Sequence, residues 1–393
     1  MFKELIKQLV KLNLNIYKKT GEKKMEFYVN CGLLKKALSK IYNIKENNYF
    51  TIINKYENSN KINLHTYNDI YDLELKIDAQ VITKGYITLD RSIIPIIKKI
   101  SSNKDLHFTC EDNNIKIDYP KIAKTIEFKN EGNIIDFPEI EKSTITHFNL
   151  DFLVESFKKL NVVIPYIEAP FFKAPPACLL KIKNNVLELT GTDGFRLINI
   201  KKDIDYNCKD IEVLIPKLTM EYISKNFKGP DLIDFVYVSV TDDRVIFKNG
   251  SANYCLISKI YNATEFPKYT HIINKNNKIH IKINRKEIIK ECEKLMYYFP
   301  EGECLCKLRN LENKLNIIYT CELGSLQVNS NFEFIASFME NFGINISLNF
   351  LLDGLKLFKS DFVVLGIKDN NNIIKLRSFD DLSANYYFMP YQI

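Results

Sequence analysis

Along this chain, short stretches in which apolar and polar residues alternate give way, within a few positions, to apolar residues spaced three or four apart. Alternation sends successive side chains to opposite faces of a strand, and the wider spacing gathers them on one side of a helix. Each switch therefore predicts a strand running straight into an amphipathic helix. Met25 to Val29 followed by Leu33, Leu34, Ala37 and Leu38 is the first such unit. Thr146 to Leu150 leading into Leu153, Phe157 and Leu160 is another, and Ile279 to Ile283 leading into Ile288, Ile289, Cys292, Leu295 and Met296 a third. About sixty residues into each copy the unit recurs. Tyr86 to Leu89 precedes a helix from Arg91, Val213 to Pro216 one from Leu218 to Phe227, and Ile346 to Asn349 one from Phe350 to Phe358. Asn-rich breaks at Asp112 to Asn114, Lys183 to Asn185 and Asp369 to Asn372 predict hairpins between them.

A period of roughly 120 to 130 residues is the size of a domain, not of a solenoid repeat. The expected architecture is α+β, with three tandem domains at 25–144, 145–276 and 277–393 behind an extension at 1–24. Phe137-Pro138 and Phe266-Pro267 close the first two copies, and Phe388-Met389-Pro390 stands near the end of the last.

Composition narrows the function. With 46% hydrophobic and 26% charged residues the chain reads as globular, and no run approaches the ~20 apolar residues of a membrane span. Its nine cysteines are scattered without a Cys-x-x-Cys, which argues for a reducing compartment and against a zinc site or disulfide frame. The five histidines lack metal-ligand spacing, and no Gly-x-x-x-x-Gly-Lys loop is present, so neither an enzyme nor a cofactor is expected. Net charge is +7, of which residues 1–24 contribute +5. In that extension Phe2, Leu5, Ile6, Leu9 and Val10 share one helical face among lysines, which fits a targeting helix, a partner or membrane-surface helix, or plain extra sequence.

The body must then bind a polyanion by arranging charge rather than by excess of it. Each of the six helices carries cations off its apolar stripe: Lys35, Lys36 and Lys40; Arg91, Lys98 and Lys99; Lys158 and Lys159; Lys217 and Lys225; Lys286, Lys290 and Lys294; and Lys356. Six helices at equivalent positions sharing that feature predict one common surface. Without interleaved aromatics to stack bases, the expected ligand is the backbone of duplex DNA.

Three segments remain. Leu187 to Ile198 reads as a hairpin with Asp193-Gly194 at its tight turn. Its Thr192-Asp193-Gly194-Phe195-Arg196-Leu197, the Ser258-Lys259 and Phe266-Pro267-Lys268-Tyr269 that follow, and the terminal Tyr387-Phe388-Met389-Pro390-Tyr391-Gln392-Ile393 together resemble the bacterial beta sliding clamps, over about residues 25–393. The resemblance implies a head-to-tail homodimer closing a ring around double-stranded DNA, with helices inside and antiparallel sheets outside. It would be placed there by a clamp loader and would tether the replicative polymerase, without catalysis of its own. A cytoplasmic, nucleoid-associated location follows, or an organelle if residues 1–24 are a targeting segment.

It also implies a cleft for partner peptides, walled by Thr192, Gly194, Phe195, Arg196, Leu197, Pro267, Ile272, Asn349, Phe388, Met389, Pro390, Tyr391 and Ile393. Gln8-Leu9-Val10-Lys11-Leu12 echoes the Gln-Leu-x-Leu peptides such clefts bind. Phe195 stands where His is usual, His271 where Arg is frequent and Gln392 where a basic residue is common, which implies altered peptide preference. The dimer edge would fall at Ile126 and Phe128 against Met296 and Tyr297, and DNA-touching loop residues near Phe171, Phe172 and Lys173. The competing reading is a non-ring duplex DNA-binding protein of replication or repair.

Overall fold

The computed structural model describes residues 24–391, apart from 43, 45–47, 57, 112–113, 120–121, 130–143, 169–174, 207, 229–231, 250–252, 275–276, 299–303, 312–313, 322–323, 338–341 and 370–371. One order of elements, strand, helix, four strands, helix, three strands, runs through the chain three times. The first pass comprises β1 (Met25–Asn30), α1 (Cys31–Tyr42), β2 (Tyr49–Asn54), β3 (Lys61–Tyr67), β4 (Tyr71–Thr83), β5 (Gly85–Asp90), α2 (Ile93–Lys98), β6 (Asp105–Glu111), β7 (Asn114–Tyr119) and β8 (Ile122–Lys129). The second comprises β9 (Thr144–Asn149), α3 (Leu150–Leu160), β10 (Ala177–Lys183), β11 (Val186–Thr192), β12 (Arg196–Asp203), β13 (Ile211–Pro216), α4 (Lys217–Asn226), β14 (Phe235–Val240), β15 (Arg244–Asn249) and β16 (Tyr254–Lys259). After a 3-10 turn at Ala263–Glu265 and the one-turn α5 (Thr270–Ile273) comes the third. It holds β17 (Ile279–Asn284), α6 (Arg285–Tyr298), β18 (Leu305–Leu311), β19 (Lys314–Cys321), β20 (Gly324–Ser337), β21 (Gly343–Ser347), α7 (Leu348–Leu357), β22 (Phe362–Ile367), β23 (Ile374–Ser378) and β24 (Ala384–Phe388).

All six expected strand-helix junctions are present, and local capping sets where the helix begins. Asn149 accepts from the Phe152 N–H at 3.0 Å, and Ser347 from Phe350 at 3.4 Å. The Ser347 cap ends the strand two residues earlier than the alternation suggested. Asn349, expected on that strand, therefore lies in the first turn of α7.

The chain forms two compact units. One holds the first pass with residues 230–239 and 246–258, and the other residues 144–229, 240–245 and 259–393. In the first unit the sheet runs β8-β7-β6-β1-β4-β16, continued by β15 and β14, and α1 buries Cys31, Leu34, Ala37, Leu38 and Ile41. In the second a single sheet runs β13-β10-β11-β12-β24-β23-β22-β17-β20-β19-β18-β21. Leu180, Ile198, Tyr386, Leu365 and Ile281 line its buried face, on which α3, α4, α6 and α7 pack.

Both units contain the same joint between consecutive passes. Residues Tyr254 to Ser258 of β16 pair antiparallel with Leu75 to Tyr71 of β4, and Ala384 to Phe388 of β24 pair with Ile200 to Arg196 of β12. The last strand of one pass thus zips onto the long third strand of its four-strand run in the pass before.

Candidate functional site

The β11–β12 hairpin closes where Thr192 faces Leu197, and its tip is held by side chains rather than by the strand ladder. Asp193 Oδ1 accepts from the N–H groups of Phe195 (2.9 Å) and Arg196 (2.6 Å), an Asx turn that leaves Gly194 at φ 90°, where a side chain would be strained. Thr192 Oγ1 donates to the Arg196 carbonyl at 2.6 Å and accepts from Gly194 N–H at 3.0 Å. These contacts push Phe195 outward, with 48% of its surface exposed. Its carbonyl takes the Met389 N–H at 3.0 Å, tying the tip to the chain beyond β24.

Arg196 turns the other way. Its Nε and Nη2 each lie 2.8 Å from Asp193 Oδ2, and Nη1 lies 2.5 Å from Asp353 Oδ2 on α7. The guanidinium sits over the Phe350 ring at 4.7 Å. Burial alone would lower its pKa, but the two carboxylates outweigh burial and hold it above the ordinary value. The expected Asp193-Gly194 turn is therefore confirmed as a turn, and its carboxylate is occupied by structure.

On the face of the sheet opposite α3, α4, α6 and α7, Leu197, Ala177, Leu179, Leu214 and Tyr387 pack with Phe266 and Tyr269 from the connector after β16. Half-buried Tyr261, Ala263, Ile272, Ile273 and Ile373 surround them. Pro267 is half-buried, and Met389 and Tyr391 are about as exposed as Phe195, at 42% and 43%. Most of the expected wall is thus brought together in one unit. Three assignments are corrected: Phe388 is fully buried on the helix-covered face, its strand partner Arg196 turns to α7 on that same face, and Asn349 stands on α7 itself, so the patch receives Tyr387 and Leu197 instead, because side chains alternate along β24 and β12. Tyr261, Leu179, Leu214 and Ile373 were missed, since none stands in a periodic segment that marks it as more than core. Ile393 lies outside the described residues.

The helix cations divide into groups. Lys36, Lys98, Lys99 and Lys290 are exposed, and Lys98 lies over the Tyr42 ring at 4.7 Å. Others stand in exposed ion pairs: Lys158 with Glu155 (2.7 Å), Lys225 with Glu221 (3.3 Å), Lys286 with Asp361 (2.8 Å), Lys294 with Glu291 (2.5 Å) and Lys356 with Glu293 (2.9 Å). Such pairs contribute at most ~1 kcal/mol and exchange readily for a phosphate. Lys40 lies over the Tyr254 ring at 3.8 Å, Lys35 donates to the Ile100 carbonyl, and Lys159 is half-buried.

Two positions depart from the expected surface. Lys217 is buried, its Nζ donating to the carbonyls of Ile164 and, at 3.3 Å, Asn161 just past α3. Arg91 donates to the Ile44 carbonyl and to Thr66 Oγ1 at 3.3 Å. Both spend their charge on backbone carbonyls inside their units. Of the expected dimer residues, Tyr297 is exposed at the end of α6 and Met296 half-buried. Ile126 and Phe128 lie on β8, where only the backbone is described, and Phe171 to Lys173 fall outside the described residues.

No family model matches the chain. Among solved structures, the DNA polymerase III beta chain of Streptococcus pneumoniae superposes with TM-score 0.83 over 94% of this chain and 100% of that one, at 18% identity. The fold is that of the beta sliding clamps. The Pseudomonas aeruginosa DNA polymerase sliding clamp superposes over 94% of the chain at TM-score 0.81 and 15% identity. In sequence, the chain is 24% identical to the beta sliding clamp of Chlamydia trachomatis over 242 residues, and it spans 56% of that protein's length. It is also 24% identical over 352 residues to the beta sliding clamp of Rickettsia felis, covering 83% of this chain and 87% of that one. The clamp fold accounts for the thrice-repeated order and for the joint between passes.

Proposed function

We propose that the chain is a DNA sliding clamp: two copies join head to tail into a ring around duplex DNA and tether the replicative polymerase for processive synthesis. The observation that carries this reading is the repeated joint. In each unit the last strand of a pass pairs with the long third strand of the run before it. Among the described residues, β8 pairs only with β7, and the Gly324–Asn331 half of β20 only with β19. These are the two strand positions the same joint uses, left over at opposite ends of the chain. Pairing β8 of one copy with β20 of another, in both directions, closes the assembly and covers both of these edges. Ile126 and Phe128 lie on that edge.

In this reading the domains are 25–144, 145–276 and 277–393, and the clamp acts mechanically, without catalysis. Retention is topological, so weak, exchangeable lysines suit it better than tight phosphate contacts, which would arrest sliding. A clamp loader would open the ring, and polymerase and loader would share the apolar patch at the hairpin, each through a short peptide. Work on DNA places it with the nucleoid, and no described helix is long and apolar enough to cross a membrane.

The test is retention on DNA after loading. A ring persists on a closed circle and slides off once the circle is linearised, whereas a non-ring duplex binder is indifferent to topology. A sedimentation mass of 45.9 kDa at micromolar concentration, with no dimer, would sink the ring.

A further inference from the structure

Beside the apolar patch, the same sheet face carries a block of positive charge. β17, β22 and β23 are neighbours, and His280 stands opposite Gly366, which stands opposite Lys375. One step along the same face, Lys282 faces Val364, which faces Arg377. Strands lie ~4.8 Å apart and same-face residues on one strand ~7 Å apart, so four basic side chains occupy an area roughly 10 Å by 7 Å. Gly366 places no side chain between His280 and Lys375, and the Asn277 amide occupies the space where a Cβ would project.

Other lysines on this face have carboxylates: Lys181 has Glu212 at 2.8 Å, Lys201 has Glu188 at 3.7 Å, and Lys282 has Glu333 at 3.5 Å. Lys375 and Arg377 form no ion pair among the described residues. Arg377 Nη1 donates only to the Ser378 carbonyl, at 3.1 Å. Both are half-buried, and burial together with Arg377 holds the Lys375 ammonium below its ordinary pKa. The pKa of His280 is likewise lowered, by burial first and then by these two cations. An uncompensated cationic pair on a partly desolvated sheet face favours an anion.

Position decides which anion. Lys375 Nζ lies 5.5 Å from the centre of the Tyr387 ring, and Tyr387 belongs to the apolar patch with Leu197, Phe266 and Tyr269. Resting on the peptide-binding reading above, we infer that Lys375 and Arg377, flanked by His280, form a subsite for carboxylate side chains, so that this chain favours partner peptides whose apolar anchor is flanked by Asp or Glu. A peptide anchored on the patch beside Tyr387 would run its flank past Lys375.

The experiment compares fluorescein-labelled Gln-Leu-Ser-Leu-Phe carrying Asp-Glu at both ends with the same peptide carrying Ala-Ala, by anisotropy on the full chain. The acidic peptide binds about fivefold more tightly at low salt, and the advantage disappears in Lys375→Gln/Arg377→Gln while affinity for the Ala-flanked peptide stays put. Lys375→Glu reverses the preference toward a Lys-flanked peptide. An unchanged thermal midpoint for each variant confirms that the fold is intact. Equal binding of the acidic and Ala peptides by the wild type, or an advantage that survives the double substitution, overturns the subsite alone. If neither peptide binds the wild type, the peptide-binding reading falls and takes the subsite with it. Loss of duplex DNA affinity in the double variant with the peptide preference intact overturns the inference in favour of a nucleic-acid surface.

Discussion

Replacing Arg196 by methionine keeps most of the aliphatic stem and removes the guanidinium that joins the hairpin to α7. The side chains of Arg196 and Asp193 are each 15% exposed, so their two 2.8 Å contacts are largely desolvated. Breaking a fully buried pair costs about 3–5 kcal/mol, and the residual exposure reduces that to about 2 kcal/mol. The contact to Asp353 is shorter, at 2.5 Å, but that carboxylate is 42% exposed and its loss falls in the range of surface pairs, below ~1 kcal/mol. The sum, about 2–3 kcal/mol, lowers the midpoint of the unit containing the hairpin by about 5–10 °C, read by circular dichroism. Exchange of the Met389 amide, bonded to the Phe195 carbonyl, speeds in parallel. A double-mutant cycle separates the partners: coupling of Arg196 to Asp193 exceeds its coupling to Asp353. A midpoint within 1 °C of wild type, or the larger coupling with Asp353, would refute the reasoning.

Gly354→Ala gains up to ~1 kcal/mol of helix propensity, yet its Cβ meets the Tyr386 ring at 2.5 Å, and that ring is fully buried and tethered by its hydroxyl to the Phe350 carbonyl at 2.8 Å. The expected net loss is about 1–3 kcal/mol, and a raised thermal midpoint would contradict it. Glu74 accepts from His65 at 2.8 Å and Asn63 at 3.0 Å; burial opposes its charge, but His65 and Lys76 prevail and hold its pKa below the ordinary 4.5. Its stabilisation is therefore present above pH 4.5 and lost as pH falls through the folded value, so Glu74→Gln flattens the acid side of the urea midpoint below pH 4.5. Lys217→Gln leaves the salt dependence of duplex affinity unchanged because its ammonium faces carbonyls, whereas Lys286→Gln/Lys290→Gln/Lys294→Gln lowers the log–log slope by about two to three.

What could be read from the chain was what repeats locally. Strand-helix junctions are written in apolar spacing, which needs no knowledge of the rest of the fold, and all six are found, the last displaced by two residues. Asn349 was misplaced because a serine cap at 347 outweighs two residues of alternation. Phe388 was misplaced for a longer-range reason: the register of β24 on β12 decides which residue faces the patch, and a one-residue shift flips every side chain. Lys217 shows the limit of reading charge from a helix. It lies off the apolar stripe, yet carbonyls just past the end of α3 capture it, and a helix C-terminus is where a cation is held best. Likewise the Asp193–Arg196 spacing was visible, but Asp353 is brought to it only by the fold.

The hairpin tip has a counterpart in the first pass that separates joint from site. Asn68 Oδ1 accepts from the N–H groups of Ile70 (2.9 Å) and Tyr71 (2.8 Å), and its own N–H donates to the Tyr71 carbonyl at 2.9 Å. Asp193 makes the same three contacts, at 2.9, 2.6 and 3.3 Å. Tyr71 pairs with Ser258 on β16 as Arg196 pairs with Phe388 on β24. Turn, register and strand addition are thus what joining one pass to the next requires, and a neutral Asn suffices for all of it. The second tip differs in its side chains. A carboxylate replaces the amide, a guanidinium replaces buried Tyr71, and an exposed Phe195 replaces half-buried Ile70. A turn that only had to hold two strands together gains stability from Arg196 and its two acids but nothing from exposing a phenylalanine. The ion pairs stiffen the tip whose phenylalanine points outward, which fits the exchange of partner peptides proposed for it.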